Sequence, residues 1–351
     1  MPDWPGLDTF AGETYHSSFW PEGGVDVKGK RVGSVGTGAT GIQLAQTVAP
    51  DAAALTVFQR TPNFACPMRQ APLDPAQVQA DLPNLGELLK RRHESDAGFL
   101  YNPKSVNIFD ETPEQREAHF EAVWREGGFR MLIHNYADIH TDPAANRIAY
   151  DFWARKTRER ITDPKKRDLL APLEPPHPFG GKRLSLEQDF YEQMDKHHVS
   201  IVDVRANPVS HVVPEGVVTA DGTLHAFDVL AIATGFDSLT GGFKNIDFTG
   251  ADGTKLADKW GEGCFTYLGM ATQGLPNFFF TYGPQSPCAF ANGPSITEPQ
   301  GEWIVDVMKR LREQGRWWIE AKREAEVKWK EDMIRLSERE LKHYVPGILN
   351  G

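Results

Sequence analysis

The sequence predicts an α/β fold built on a Rossmann-type parallel sheet, and three observations predict it. The stretch Lys30–Thr61 runs strand, glycine turn, helix and strand: Arg31–Val35 reads as a strand, Ile42–Ala49 as a helix and Leu55–Gln59 as a second strand. Between the first strand and the helix lies Gly36-Thr37-Gly38-Ala39-Thr40-Gly41, which fits G-x-G-x-x-G in the context that motif requires. Farther along, Val229–Ala233 is a continuous apolar run, as a strand buried on both faces of a parallel sheet must be.

Each glycine of the turn has a job. Gly36 allows the tight turn, Gly38 lets the backbone approach a pyrophosphate, and Gly41 lets helix and strand pack closely. The free N–H groups and the positive end of the helix then face phosphates. Which dinucleotide is bound is decided at the end of the second strand, Phe58-Gln59-Arg60-Thr61, where an NAD site carries Asp or Glu for the ribose 2′-hydroxyl. No acid is present. A carboxylate there would repel a 2′-phosphate, whereas a guanidinium pairs with it bidentately. The expected cofactor is therefore NADP(H), held by Arg60 and Thr61; the competing reading of Arg60 is an exposed strand-end arginine.

Composition bounds the rest. A chain of 351 residues holds two domains, or one large domain with an insertion. Its 40% hydrophobic and 11% aromatic content supports a sizeable core and argues against disorder. A net charge of −10 and a pI near 5.6 argue against general affinity for nucleic acid or an anionic membrane. The cysteines Cys66, Cys264 and Cys288 are scattered, with no C-x-x-C, which fits a reducing cytoplasm. No apolar run reaches the length of a membrane span, and no secretory-signal pattern is visible.

The remaining elements follow in order. Residues 1–28 are rich in proline, glycine and aromatic side chains and read as a structured linker. The chain leaves the sheet from Thr61 to Pro67, and residues 75–172 are mostly helical and charged. Leu82, Leu85, Leu88 and Leu89 have helical spacing interrupted by Pro83, and Pro113–Arg125 and Ala149–Ile161 read as further helices. His93, His119, His134 and His140 lack zinc-ligand spacing, so no metal is expected. Lys165-Lys166-Arg167 reads as a solvated face. Strands are expected at Val199–Val204, Val209–Val213 and Gly216–Thr219, with a hairpin turn at Ala220–Thr223. Leu275–Gly283 resembles one more buried strand, followed by a loop through Ser286 and Pro287. An amphipathic helix is expected at Glu298–Leu311, on Ile304, Val307, Met308 and Leu311, and a charged helix at Trp318–His343.

One cluster carries a resemblance. Phe10, Gly12, His16, Trp20 and Pro21 match F-x-G-x-x-x-H-x-x-x-W-P, placed shortly before a glycine turn. In this the chain resembles the Baeyer–Villiger monooxygenases, flavin- and NADPH-dependent enzymes that insert oxygen beside a ketone. The resemblance implies that His16 acts in the link between two domains and is not the chemical base. Gly180-Gly181-Lys182-Arg183-Leu184 is similar to the family's G-x-K-R-L segment, which assigns Lys182 to the 2′-phosphate and Arg183 to catalysis over the flavin. A fixed guanidinium in a dry site would stabilise the negative charge that oxygen insertion creates. Ala233-Thr234-Gly235-Phe236-Asp237 resembles the crossing between the two domains, adding Thr234 and Gly235 to the cofactor contacts; Asp237 either touches the cofactor or caps a turn.

The implied plan is an inter-domain linker at 1–28, an NADP-binding Rossmann domain at 29–66 and 179–235, a helical insertion at 67–178, and the C-terminal part of a FAD-binding domain at 236–351. The family's earlier, FAD-binding glycine turn is absent, as is its W-Y-x-G-A-N-like tail; the ending here is Tyr344-Val345-Pro346-Gly347. The expectation is a cytoplasmic NADPH- and FAD-dependent monooxygenase acting on a ketone and O2, shown without its first flavin half, with residues 236–351 exposing an apolar face. The alternatives are an NADP-binding fragment inactive alone and an N- or S-oxygenating relative.

Overall fold

The computed structural model describes residues 1–237, 239–261, 263–286 and 290–345. Pro287, Cys288, Pro346 and Gly347 lie outside the described residues. The strands are β1 Glu13–His16, β2 Arg31–Val35, β3 Ala54–Gln59, β4 Cys66–Pro67, β5 Leu186–Glu187, β6 Val199–Asp203, β7 Val209–Val213, β8 Gly216–Thr219, β9 Leu224–Ala226 and β10 Val229–Ile232. Five of them form one all-parallel sheet in the order β1-β10-β2-β3-β6. The fold is α/β, and its central layer is the Rossmann-type sheet.

Both faces of that sheet are covered, which is why β10 reads as an apolar run and β2 is buried from Val32 to Val35. On one face the helix α1, Ala39–Val48, buries Ile42, Ala45 and Val48 against Val32, Leu55 and Val57. On the other, Val35, Phe58, Leu230 and Ile232 pack under the antiparallel sheet β7-β8-β9 through Val212, Val217 and Phe227. Trp4, Leu7 and Phe10 close the edge of this second cluster.

Residues 1–28 contain an element that the sequence did not reveal. Glu13–His16 is an edge strand of the parallel sheet, in register from Glu13 opposite Val229 to His16 opposite Ile232. Its side chains are half-buried or exposed, so it lacks the alternation that betrays a strand. Gly12 makes the approach possible: a Cβ there would lie 2.5 Å from the Asp228 carbonyl oxygen, which accepts the Glu13 N–H at 3.0 Å.

Between β4 and β5 the chain forms a helical insertion with helices at Pro75–Asp81, Leu85–His93, Pro113–Glu126, Pro143–Arg158 and Pro164–Leu170. Proline in the first turn and an acceptor at the cap start several of them: Asp142 accepts from Ala144 and Ala145, and Thr112 with Gln115 forms a capping box. Phe120, Trp124, Phe152 and Trp153 join the same core as α1. The Trp153 indole N–H donates to the Ala65 carbonyl at 2.8 Å, stitching insertion to sheet.

The expected strand at Leu275–Gly283 is not formed. Asn277 and Tyr282 have φ of 58° and 55°, which breaks the pleat, and no described strand lies alongside. Phe278 and Phe280 pack instead with Leu256, Trp260 and Cys264 in a separate cluster. The helices that follow are Gly293–Glu313 and Arg323–Ser337. Phe236, Ile246, Val305, Met308 and Trp317 are exposed. Among the described residues no helix is long and apolar enough to cross a membrane.

Candidate functional site

A parallel sheet presents its ligand site beyond the carboxyl ends of its strands. Here the segments leaving β2, β3, β6 and β10 line a cleft of about 540 Å³: Gly36–Gly38, Arg60–Phe64, Val204 and Ala233–Gly235. The loop before β5 adds His177, Lys182, Arg183 and Leu184 to the wall, and Pro2, Trp4, Pro208 and Val209 also line the cleft.

The glycine turn has the geometry its sequence calls for. Gly36 has φ of +104°, and a Cβ on it would collide with the Ala233 carbonyl oxygen. A Cβ on Gly41 would collide with the carbonyl oxygen of Gly36, so helix and turn touch because residue 41 has no side chain. At Gly38 an added Cβ would meet nothing within 4 Å: the backbone there is bare toward the cleft, at the N-cap of α1. Thr37 Oγ1 donates to the Thr61 carbonyl at 2.9 Å and joins the turn to the segment after β3. Ala39, Thr40 and Gly41 form the first turn of α1 behind this surface and do not line the cleft.

The loop carrying Lys182 and Arg183 is held from two sides. Asn146, on the helix Pro143–Arg158, donates to the Phe179 carbonyl at 2.8 Å and accepts the Phe179 N–H at 2.9 Å. Past Arg183, the buried Glu187 receives the Arg160 guanidinium bidentately at 2.8 and 3.0 Å and the Phe190 N–H at 3.0 Å. Arg183 rests its guanidinium on the Phe129 ring, 4.6 Å from the centroid.

The electrostatics of the cleft are one-signed. Arg60, Lys182 and Arg183 line it, and among the described residues no carboxylate does. Neither Arg60 nor Lys182 makes an ion pair with a described residue. Desolvation and then the charge of Arg60 lower the Lys182 pKa below that of an ordinary lysine. His177 is 9% exposed, its ring tilted against Phe64 at 4.4 Å, with Nδ1 3.0 Å from the Pro178 carbonyl.

The sequence-predicted residues Gly36, Thr37, Gly38, Arg60, Thr61, Lys182, Arg183, Thr234 and Gly235 thus meet in one cleft. The residues of the F-x-G-x-x-x-H-x-x-x-W-P cluster lie elsewhere. Phe10 packs on the cluster under the antiparallel sheet, and Trp20 leans on Tyr15 at 5.6 Å beside the exposed Pro21. His16 ends β1; its Nδ1 accepts the Ser18 N–H at 3.2 Å, and its ring meets Phe236 edge-on at 6.4 Å. Asp237 does not line the cleft; its carboxyl lies against Gly241. Sequence reasoning missed Trp4, Asn63 and His177. The available signal for His177 was the rigid Pro-Pro-His-Pro turn ahead of Lys182. Among the described residues no three His, Cys, Asp or Glu side chains group as a metal site.

No family model matches the sequence. The chain is 43% identical over 328 residues to cyclopentanone 1,2-monooxygenase of Comamonas sp., covering 93% of this chain and 60% of that protein. It is 36% identical over 330 residues to a Baeyer–Villiger monooxygenase of Pseudooceanicola batsensis, covering 94% of this chain and 59% of that one. A crystal structure of OTEMO in complex with FAD and NADP superposes with a TM-score of 0.93 at 36% identity, over 97% of this chain and 65% of the other. The chain therefore spans about three-fifths of the length of the curated relatives it matches.

Proposed function

The chain belongs to the Baeyer–Villiger monooxygenase family, and from that premise we propose that it supplies the NADP(H)-binding part of a flavin-dependent enzyme converting ketones to esters or lactones with O2. The observation that carries the reading is the pairing of a bare Gly38 backbone with Arg60 and Lys182 in a cleft that no described carboxylate lines. The residues present fit NADP(H): Gly36–Gly38 and the N-terminus of α1 take the pyrophosphate, and Arg60, Thr61 and Lys182 take the 2′-phosphate. Thr234 and Gly235, leaving β10, form the floor on which the dinucleotide lies.

NADPH would bring the hydride and FAD the oxygen-activating ring. Arg183 contributes a permanent positive charge at the cleft wall, held by Phe129, for the oxygen that becomes anionic during insertion. His16 and the residues around it tie β1 to the segment after β10, and in this reading they act as the joint between the NADP-binding residues, 29–66 with 179–235, and the rest. The insertion at 67–178 supports the loop, and residues 236–351 belong to the flavin domain. The buried, unbridged Cys66 and Cys264 support a reducing, cytoplasmic setting.

Titration of the chain with NADP(H) and NAD(H) tests the core of this. NADP(H) should bind more tightly, and Arg60→Ala with Lys182→Ala should remove the preference. Each lost charge-assisted hydrogen bond is worth about 1.5–3 kcal/mol, or about ten- to a hundredfold in affinity. Equal affinity of the parent chain for both cofactors would refute the assignment.

A further inference from the structure

The phosphate end of the cleft contains a titratable group, His177. We propose that His177 is a third, proton-linked member of the 2′-phosphate site: neutral in the ligand-free chain, it takes a proton from solvent at Nε2 as a phosphomonoester dianion is seated beside Lys182. The inference rests on the NADP(H) reading above.

The geometry carries it. Nδ1 lies 3.0 Å from the Pro178 carbonyl, and a carbonyl only accepts, so Nδ1 bears the hydrogen. In the neutral ring Nε2 is then an acceptor, and no described residue donates to it. The ring is fixed against Phe64 and forms part of the cleft wall together with Arg60 and Lys182. A bare acceptor lone pair facing a dianion is repulsive, whereas the protonated ring presents a charged donor at the same position.

The surrounding charges set the direction. From its own loop, Lys182 faces His177, and Arg60 at the end of β3 faces Lys182 in turn; Phe64 and Pro178 carry no charge. Burial first, and then the charge of Lys182, push the His177 pKa below the ordinary histidine value. A bound dianion reverses the local sign and raises it. His177 then contributes a discrimination for the 2′-phosphate that strengthens as pH falls through the histidine range, by at most about tenfold per pH unit, the limit for one linked proton, while protonation of the free ligand phosphate opposes it.

Calorimetry on the full chain tests this with 2′,5′-ADP and, as the ligand without the 2′-phosphate, 5′-AMP. Titrations run from about pH 5.5 to about pH 7.5, spanning the ordinary histidine pKa, in paired buffers of different ionisation enthalpy. The ligand phosphate itself loses protons on binding over this range, so the readout is the difference between the parent and His177→Gln. The parent should take up as much as one proton more than the variant with 2′,5′-ADP, and the two should not differ with 5′-AMP. Identical proton counts in parent and variant overturn the proposal while leaving the NADP(H) reading intact. Equal affinity of the parent for the two ligands removes both. Should His177→Gln fail to fold, the imidazole resonance of His177 in the parent decides: its pKa must rise when 2′,5′-ADP is added, and an unmoved titration ends the proposal.

Discussion

Lys182 is desolvated by burial and stands in the field of Arg60, and among the described residues no carboxylate at the cleft offsets these two effects. The lysine is therefore easier to deprotonate than one in free solution. Its charge is fully present below its lowered pKa and is lost as pH rises through it, so the preference for NADP(H) over NAD(H) should decline at a lower pH than an ordinary lysine, at about 10.4, would dictate. Lys182→Arg should keep the preference across the same alkaline range, because a guanidinium does not titrate there. Affinity ratios measured across that range check this, and parallel curves for parent and variant would remove Lys182 from the phosphate. Arg60 was legible from sequence because the position has a strong expectation, an acid, that is not met. His177 was not, since its tautomer and exposure depend on Pro178 and on Phe64, a residue distant in the chain.

At the scale of elements, the loop bearing Lys182 and Arg183 owes its position to the buried carboxylate of Glu187 on β5. Arg160 grips both its oxygens and also pairs with Glu192. Removing one partner of a buried pair strands the other, at about 3–5 kcal/mol, whereas replacing both with apolar groups is often neutral. Arg160→Met should thus lower the urea midpoint strongly, and Arg160→Met with Glu187→Leu should recover most of the loss; additive losses in that cycle would show that the pair is not coupled. The strands β2 and β3, α1 and the helix Pro113–Glu126 were readable nearly to their ends, because burial on defined faces imposes the pattern, whereas the helices Pro143–Arg158, Gly293–Glu313 and Arg323–Ser337 were legible in kind but not in their ends. The two-residue strands β4 and β5 are too short for any period, and β1 is an edge strand with little buried. Leu275–Gly283 failed in the opposite sense: its apolar run is real, but it serves a cluster around Trp260 and not a ladder.

Across the whole molecule, stability is divided unevenly. The sheet, α1 and the insertion share one apolar core, from Val32 and Ile42 to Trp153, while Leu256, Trp260, Cys264 and Phe280 form their own. Polar contacts dock the helix Gly293–Glu313 onto the insertion: Ser295 Oγ donates to the Gly98 carbonyl at 3.0 Å, the Asn292 N–H donates to Ala97 at 2.9 Å, and Arg92 pairs with Glu298. Gly98 is the weak point of this seam. Its φ is +72°, and a Cβ there would lie 2.5 Å from the Cβ of Ser295. Gly98→Ala adds backbone strain and a clash, together about 1–3 kcal/mol, borne by the docked helix and not by the sheet. Hydrogen exchange should therefore quicken about ten- to a hundredfold across 293–313, while the amides of β2 and β10, bonded inside the shared core, keep their protection. Equal acceleration in β2 would mean that the two cores open together, and that residues after β10 are not a separate cooperative unit.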